Sequence, residues 1–237
     1  MAENGIRTVL CAASVDFLKD EKLYREAYWK VTEARRQKAD RFVFAKDKRL
    51  CVGAELLLRE TLIRAGAGPI VPITGEGTYG KPYLKDHPEI LFNLSHSGEM
   101  VLCAVSDRKV GCDIEEVART NLNLMERFFY REEYEKIMNA GSPEEQTDMF
   151  YRLWTLKESF MKMKGFGMHL GPETFGIRMG EDTPHLIDGE EGPDTCCFRE
   201  YDSIPGYKCA MCIENYEEYV PLEIIEVAAG LRQGATR

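Results

Sequence analysis

The sequence has no long apolar run and no excess of basic residues. It has 31 lysine and arginine residues against 40 aspartate and glutamate residues, for a formal net charge of -9 at pH 7. This balance argues against a nucleic-acid-binding protein, because duplex recognition depends on a basic surface. No apolar stretch approaches the ~18 residues of a membrane-spanning helix, and the first residues do not have the pattern of a signal peptide. We therefore expect a cytoplasmic protein that binds neither nucleic acid nor membrane.

Cysteine is present, but not in a pattern typical of disulfides or zinc. The chain has eight cysteines, and thiols stay reduced in the cytosol. Cys209 and Cys212 have metal-ligand spacing, but a structural zinc site needs four ligands and the sequence has no second Cys-x-x-Cys pair. Residues 207–213 are typical of a buried strand, so we interpret these cysteines as core residues.

A local basic segment contrasts with the acidic total. With 237 residues, of which 44% are apolar and 30% charged, the chain fits one large globular domain or two small ones. Eight lysines and arginines occur close together at positions 30, 35, 36, 38, 41, 46, 48 and 49. They indicate either a site for a phosphorylated ligand or a solvated helix face, and composition does not decide between these.

Residues 110–115 alternate apolar and acidic side chains as a strand does. Residues two apart on a strand point to the same face, so Asp113 and Glu115 are predicted to project side by side. Cys112 and Ile114 then turn toward a core. The alternative for such an acidic pair is a solvated strand end.

Residues 144–164 contain no glycine or proline, and apolar residues recur in them at helical spacing. On this predicted helix Glu158 and Lys162 form an i, i+4 pair on one face. Such a pair is often a surface feature worth only about 0.3 kcal/mol. Its meaning therefore depends on what the helix faces.

If Glu158 faces Asp113 and Glu115, three carboxylates converge. At ~4 Å and an effective dielectric of ~20, each like-charge pair repels by roughly 4 kcal/mol, so the cluster must take up protons, spread apart or bind a cation. Hard oxygen ligands suit Mg²⁺, or Mn²⁺ as a substitute, and Mg²⁺ usually shares its coordination shell with substrate phosphates. Lys162 would then meet those phosphates, an arrangement typical of phosphoryl transfer.

Two upstream segments supply further polar groups. Gly80 and Pro82 bracket Lys81 in a tight turn that would hold its ammonium group in place. Residues 91–94 are predicted to form a short strand that leads into a polar turn at 95–98. His96 in that turn can donate a charge-assisted hydrogen bond to a phosphate, or it is a turn histidine satisfied by the backbone.

The motifs follow one another in an order that resembles a known family. Gly-Lys-Pro, Asn-x-Ser-His-Ser, Gly-x-Asp-x-Glu and Trp-x-x-Lys-Glu-x-x-x-Lys together resemble the 4′-phosphopantetheinyl transferases of the surfactin-synthetase-activating type. The resemblance covers residues 30–215 and is almost continuous over 92–115 and 146–167; residues 127–129 and 205–208 also fit. The ordered set of motifs is far more specific than any one of them.

The resemblance implies an activity. Members of the family transfer the 4′-phosphopantetheine arm of coenzyme A to a serine of an apo acyl or peptidyl carrier protein, with Mg²⁺, and release adenosine 3′,5′-bisphosphate. The sequence does not indicate whether the carrier belongs to fatty acid, polyketide or nonribosomal peptide biosynthesis. It also leaves the oligomeric state open, although we expect a monomer.

The resemblance also implies site residues. Asp113, Glu115 and Glu158 would be the Mg²⁺ ligands, and Lys162 would contact the pyrophosphate and stabilise the leaving group. Glu158 would accept the serine proton, directly or through a metal-bound water. The expected coenzyme A contacts are Lys38, Arg49, Lys81, Ser95, His96, Lys157 and Lys162, with Lys38 and Arg49 at the 3′-phosphate. Leu50 stands where the family often has a small polar residue, which removes one phosphate hydrogen bond.

An α+β fold is expected, because each half of the chain combines helices with a few antiparallel strands. Helices are predicted over residues 20–65 with a break at 44–45, and over 124–129, 131–139 and 144–164. Strands are predicted at 7–12, 70–73, 91–94, 101–105, 110–115, 174–179, 196–201, 207–213 and 222–227. The resemblance implies two similar α/β halves related by a pseudo-twofold, with the active site in the cleft between them. Residues 1–108 would bind the coenzyme A phosphates and nucleotide, and residues 109–237 would bind the metal and carry catalysis.

Two other functions stay open at this point. The protein could hold coenzyme A or another nucleotide without turnover, or it could be an interaction domain with an incidental acidic patch. Glu158 and Lys162 favour an enzyme, since a pure binder need not keep a proton acceptor beside a metal.

Overall fold

The computed structural model describes residues 5–119, 122, 126–180, 183–188, 196–216 and 218–228. In chain order the helices are α1 (Glu21–Lys30), α2 (Glu33–Asp40), α3 (Ala45–Arg64), α4 (Arg131–Met138) and α5 (Pro143–Lys164). The strands are β1 (Val9–Ser14), β2 (Thr74–Glu76), β3 (Pro82–Leu84), β4 (Leu91–Ser97), β5 (Met100–Ser106), β6 (Val110–Glu116), β7 (Gly176–Arg178), β8 (His185–Asp188), β9 (Cys196–Tyr201), β10 (Tyr207–Glu214) and β11 (Leu222–Ile224).

The chain folds into two compact units, and each unit is formed from more than one segment of the sequence. Unit 1 comprises the described residues up to Gly75, then Tyr83–Asp107, and those from Val220 onward. Unit 2 comprises Glu76–Pro82 and the described part of Arg108–Tyr219. The predicted boundary after residue 108 lies next to one of these divisions, but residues 76–82 and 220–228 belong to the other unit. The functions assigned to residues 1–108 and 109–237, and their pseudo-twofold relation, stay predictions.

Local signals in the sequence explain where several helices begin and end. The Asp20 side chain accepts hydrogen bonds from the backbone N–H groups of the first turn of α1, and Thr32 and Ser142 do the same for α2 and α5. Pro143 occupies the first turn of α5, where it costs no hydrogen bond. Gly165 ends that helix in a left-handed conformation, with φ of 80°.

In unit 1, three helices pack against a four-stranded sheet of order β11-β1-β5-β4. Strands β4, β5 and β1 are antiparallel neighbours, whereas β11 runs parallel to β1. Alternate residues of the strands, such as Cys11, Phe92 and Cys103, pack with the apolar face of α3, including Leu57. The sheet of this unit is thus mixed rather than wholly antiparallel.

In unit 2, the long helix α5 packs on the antiparallel sheet of order β6-β10-β9. Ala210 and Cys212 of β10 and Phe198 of β9 lie in one apolar cluster with Leu153 and Leu156 of α5. Cys209 is buried as well, and all eight cysteines are free thiols. The prediction that the thiols around residue 210 are core residues is confirmed.

The predicted α+β fold is confirmed, with local corrections. Residues 70–73 are not a strand, because the strand begins at Thr74. Strand β4 continues through Ser97, so residues 95–97 are not a turn, and the chain reverses at Gly98, where φ is 57°. The predicted helix at 124–129 is a short 3₁₀ turn over Glu126–Phe128, and residues 124 and 125 lie outside the described part.

The other differences concern short elements. The 3-residue strand β3 and the 4-residue strand β8 were not predicted, and each lies in a two-stranded sheet. Strand β7 covers 3 residues of the predicted 174–179, because a 3₁₀ turn over Pro172–Thr174 precedes it. In the part of the chain that the structure describes, no helix has the length and apolar character needed to cross a membrane.

Candidate active site

Strand β6 lies unusually close to α5 at Gly111. A Cβ atom on this residue would lie 2.0 Å from the carbonyl oxygen of Ser159 and 2.3 Å from the backbone nitrogen of Met163. These are backbone atoms that cannot move aside, so the close approach requires glycine. Asp113, two residues further on, points to the same face. The glycine of Gly-x-Asp-x-Glu therefore brings the aspartate against the helix that carries Glu158.

Asp113, Glu158 and Lys162 meet at this face. The Nζ atom of Lys162 donates to Oδ1 of Asp113 at 2.6 Å and lies 3.8 Å from Oε2 of Glu158. The Asp113 side chain is 2% exposed, and those of Glu158 and Lys162 are 18% and 25% exposed. The structure thus brings together three of the predicted site residues, from one strand and one helix.

The electrostatics of the three groups are coupled. Burial alone would lower the pKa of Lys162, but the negative charges of Asp113 and Glu158 outweigh it and the pKa is raised. Burial raises the pKa of Glu158, the nearby Asp113 charge adds to this, and Lys162 opposes it. One ammonium group therefore compensates two carboxylates that are largely removed from water.

The predicted cluster of three carboxylates is not assembled in this structure. Within the described ranges, no three histidine, cysteine or acidic side chains are arranged to hold a metal ion. Glu115 is half-buried and lies two residues beyond Asp113, about 7 Å along the strand. Asp113 and Glu158 nevertheless both lie close to the ammonium group of Lys162. Two carboxylates plus substrate phosphates are a common donor set for Mg²⁺, so these residues fit that metal.

Lys81 is placed differently from the prediction. It belongs to unit 2, and its Nζ atom donates to the carbonyl oxygens of Val110 (2.9 Å), Lys162 (2.6 Å) and Met163 (3.2 Å). Burial lowers its pKa to about 8. We expected this ammonium group to contact a coenzyme A phosphate. In this structure it contacts main-chain carbonyl oxygens instead.

Lys157 is enclosed in the core of unit 2. Its Nζ atom lies 2.7 Å from Oε2 of Glu133 and donates to the carbonyl oxygens of Pro172 (2.8 Å) and Phe175 (2.6 Å). The Lys157 and Glu133 side chains are 0% and 1% exposed. Burial lowers the pKa of Lys157 and raises that of Glu133, and their mutual attraction opposes both shifts. This position does not suit the expected coenzyme A contact.

Ser95 and His96 point to opposite faces of β4, because consecutive strand residues alternate. Ser95 is buried and His96 is exposed. His96 lies on the same face as Phe92 and Leu94, which pack in the cluster formed with α3. A phosphate beside that face would meet His96 and not Ser95.

Arg49 lines a cavity of about 750 Å³ in unit 1. The guanidinium lies 3.4 Å from Glu99, and its Nε atom is buried with no hydrogen-bond partner in the described part of the chain. The cavity is lined by Leu18, Lys19, Glu21, Tyr24, Arg25, Tyr28, Trp29, Asp40, Ala45, Lys48 and Arg49. Lys38 is exposed on α2 and is not among the lining residues.

The cavity includes the N-terminus of α3. Phe44 precedes this helix and provides no side-chain cap. The first N–H groups of α3 therefore have no side-chain acceptor from the N-cap residue at the end of the helix that meets the cavity. Lys48 and Arg49 follow within two turns, where positive side chains are unfavourable next to the positive end of the helix dipole. Both features suit a bound anion. Leu50, the next residue, is buried in the core at 4% exposure.

Three residues that matter to this geometry were not predicted from the sequence. Glu133 is the partner of Lys157, and it also accepts hydrogen bonds from the backbone of Tyr130 and Ile177. Glu133 is the third residue of α4, a position typical of capping, but nothing in the sequence pairs it with a lysine 24 residues later. Glu99 and Gly111 lie within or next to the sequence motifs, but the contacts that they make depend on tertiary packing.

The chain matches two models of a known protein family. The model of the 4′-phosphopantetheinyl transferase superfamily matches residues 109–212, and that of the 4′-phosphopantetheinyl transferase N-terminal domain matches residues 20–108. The chain therefore belongs to the 4′-phosphopantetheinyl transferase family, a family of enzymes.

Its relatives include transferases of the surfactin-synthetase-activating type. The 4′-phosphopantetheinyl transferase Sfp of Bacillus subtilis (strain 168) is 35% identical over 77% of this chain and 81% of its own. The enzyme psf-1 of Bacillus pumilus is 36% identical over 82% and 84%. The L-aminoadipate-semialdehyde dehydrogenase-phosphopantetheinyl transferase of Xenopus laevis is 32% identical over 70% and 62%.

A solved structure, that of Thermotoga maritima holo-[acyl-carrier-protein] synthase, aligns with 46% of this chain and 64% of its own. The identity is 18% and the TM-score is 0.39.

Proposed function

We propose that the protein transfers the 4′-phosphopantetheine arm of coenzyme A to a serine of an apo acyl or peptidyl carrier protein. The observation that carries this proposal is the Lys162 ammonium held against Asp113 and Glu158 in a chain of this enzyme family. Such a charged, largely buried group is typical of phosphoryl-transfer sites. A domain with an incidental acidic patch would have no reason to bury these charges.

In the proposed reaction the serine oxygen of the carrier attacks the phosphorus atom that bears the pantetheine arm. A new P–O bond forms, and the bond to the bridging oxygen of the pyrophosphate breaks. The serine proton passes to the Glu158 carboxylate, and adenosine 3′,5′-bisphosphate leaves. Lys162 stabilises the negative charge that develops on the leaving phosphate, because charge-assisted contacts of this kind are strong in a site removed from water.

Asp113 and Glu158, with Glu115 further along β6, would hold Mg²⁺, or Mn²⁺ in its place. When bound, the metal would supply positive charge to the pyrophosphate oxygens. Asp113 also positions Lys162, since the 2.6 Å hydrogen bond fixes the ammonium group. The lysine and the carboxylates thus depend on one another for their placement.

The nucleotide end of coenzyme A would meet unit 1. Arg49, with Lys48 and the uncapped start of α3, would hold the 3′-phosphate in the basic cavity. His96, exposed on the face of β4 that also carries Phe92 and Leu94, would contact a phosphate. Lys38, exposed on α2 and outside the cavity lining, would add a third cation. We assign no ligand contact to Lys81 or Lys157, whose ammonium groups are bound by protein oxygens.

The decisive experiment mixes the protein with coenzyme A, Mg²⁺ and apo carriers of the fatty acid, polyketide and nonribosomal peptide classes, and measures the mass of each carrier. We expect at least one carrier to gain the phosphopantetheine arm, and the gain to disappear with a chelator. If every carrier stays unmodified while coenzyme A binds, the protein is a binding module. The panel also identifies the class of carrier.

The variant Glu158→Gln tests the proton acceptor. We expect turnover to fall by about 10²-fold or more, while the affinity for coenzyme A changes far less, because the amide keeps the shape but cannot take the proton. Glu144→Gln, at the exposed start of the same helix, is the matched control and should keep full turnover. An equal loss of turnover and affinity in Glu158→Gln would argue against the proton-accepting role.

A further inference from the structure

One ammonium group connects the two elements that carry the site. The three carbonyl oxygens that accept from Lys81 Nζ belong to Val110, Lys162 and Met163. A lysine ammonium has three protons, so these three contacts use all of them. Val110 is the first residue of β6, which carries Asp113, and Lys162 and Met163 lie in the last turn of α5.

The end of α5 is a natural place for such a cation. The last four carbonyl groups of a helix accept no hydrogen bond from within the helix. The negative end of the helix dipole also attracts a positive charge. Lys81 satisfies two of these carbonyls. It is not part of α5 and reaches the helix from residues 76–82, which belong to unit 2.

The segment that carries Lys81 is itself fastened to the residues after α5. The ring of Tyr79 lies 5.1 Å from that of Phe166 and 5.3 Å from that of His169. A Cβ atom on Gly165 would lie 3.4 Å from Cδ of Lys81, so the helix ends on a residue that leaves room for the lysine stem. Contacts on both sides therefore direct the ammonium toward the helix end.

We propose that Lys81 is a positioning residue, which joins the end of α5 to the start of β6 through three main-chain carbonyls and so sets the placement of Lys162 against Asp113. The kinetic consequence rests on the proposed transferase function, whereas the structural consequence does not. Lys81 is then not a ligand contact, since a phosphate could bind its ammonium only in exchange for one of the carbonyls. Its removal should lower turnover more than coenzyme A affinity.

The test compares Lys81→Met with a matched control. Methionine keeps an unbranched side chain but donates no hydrogen bond, and Lys85→Met changes an exposed lysine four residues later. Hydrogen–deuterium exchange of the free protein should show faster amide exchange at residues 110–111 and 162–165 in Lys81→Met and no change in Lys85→Met. Exchange that is unchanged in Lys81→Met would overturn the proposal.

The kinetic arm separates positioning from ligand binding. With Mg²⁺ and an apo carrier that the wild type modifies, Lys81→Met should lower kcat by about 10- to 100-fold and leave KM for coenzyme A within about twofold, because the phosphate contacts are intact. A KM raised tenfold or more with kcat unchanged would instead identify Lys81 as a coenzyme A ligand and overturn the proposal.

Two further outcomes are distinguishable. If the wild type modifies no carrier but Lys81→Met still speeds exchange at 162–165, the proposed function fails and the structural connection stands. If Lys81→Met does not fold, Lys81→Gln replaces it, since its amide keeps two of the three donors. It should show a smaller increase in exchange at the same residues, and no increase would overturn the proposal.

Discussion

The two long helices of the protein bury different kinds of side chains. Helix α3 buries mainly aliphatic residues, and its buried Glu55 accepts hydrogen bonds from Thr32 and is paired with Arg35 and Arg59, whose side chains are 15% and 26% exposed. Helix α5 encloses Lys157 with Glu133 at 0% and 1% exposure and holds Lys162 against Asp113. A charge with a partly solvated partner can be rehydrated when the pair is broken, whereas an enclosed charge cannot. The Lys157–Glu133 pair therefore depends on tertiary packing more than the pairs of Glu55 do.

This difference between α3 and α5 fits the proposed roles of the two units, which are nucleotide binding for unit 1 and catalysis for unit 2. In unit 1 the basic residues around the start of α3 are accessible from a cavity and suit the binding of an anion. In unit 2, Lys157 and Lys162 of α5 are held by other protein groups, which suits a site where the position of each charge decides the rate. Four predictions test this difference between the two units.

The largest effect on stability is expected for Lys157→Met. This variant leaves Glu133 buried without its cationic partner, and breaking such a pair costs about 4 kcal/mol. The free energy of unfolding, measured by urea denaturation, should fall by that amount. The double variant Lys157→Met with Glu133→Gln should recover part of it, because no isolated charge then remains. A loss below about 1 kcal/mol in the single variant would mean that the Lys157–Glu133 pair is open to water.

Gly111→Ala should come next. The added Cβ atom would overlap backbone atoms of Ser159 and Met163, so β6 and α5 must separate, at a cost of about 3 kcal/mol. Turnover should fall with stability, because Asp113 and Lys162 are carried by the two elements that move apart. Gly5→Ala is the control, since a Cβ there would meet nothing within 4 Å. Unchanged unfolding free energy in Gly111→Ala would contradict the close approach.

Lys81 should make stability depend on pH. Its pKa is about 8 in the folded protein and about 10.4 in an unfolded chain, so between these values the unfolded chain binds more protons. Stability attributable to Lys81 should therefore rise with pH in this window, by about 2 kcal/mol between pH 7.5 and 9.5. The neighbouring groups that act on Lys81 are Lys109, Cys112 and Cys212.

The measurement for this effect is urea denaturation of wild type and Lys81→Met at both pH values. The difference between the two proteins should shift in favour of the wild type as the pH rises. A constant difference would show that Lys81 keeps an ordinary pKa and is open to water. Subtracting the variant removes the contributions of other titrating groups.

The smallest effect is expected for Arg49→Gln. If the cavity beside α3 holds the 3′-phosphate, KM for coenzyme A should rise about tenfold, equivalent to about 1.4 kcal/mol, and kcat should stay the same. With 3′-dephospho-coenzyme A as the substrate, the variant and the wild type should have similar KM values. Lys46→Gln, on the same helix but away from the cavity lining, is the control. A drop in kcat alone would break the proposed division between the two units.

Much of the site was predictable because it depends on short-range geometry. Asp113 and Glu115 alternate with Cys112 and Ile114 on β6 as a strand requires, and Glu158 and Lys162 share a face of α5 as a helix requires. Ser142, Pro143 and Gly165 mark the ends of α5. The less accurate predictions concern short strands such as β3 and β8, whose pairing depends on contacts rather than on their own residues.

The family, the α+β class, and the long helix and the strand that carry the site could all be predicted from the amino-acid sequence. The contacts of the lysines depend on tertiary packing instead: Lys81 and Lys157 lie in the predicted motifs, but their ammonium groups bind main-chain carbonyls and, for Lys157, Glu133. The physical reason is that a lysine carries its charge on a long flexible stem. The acceptor it finds is set by which elements pack around it, and a motif of neighbouring residues does not contain that information.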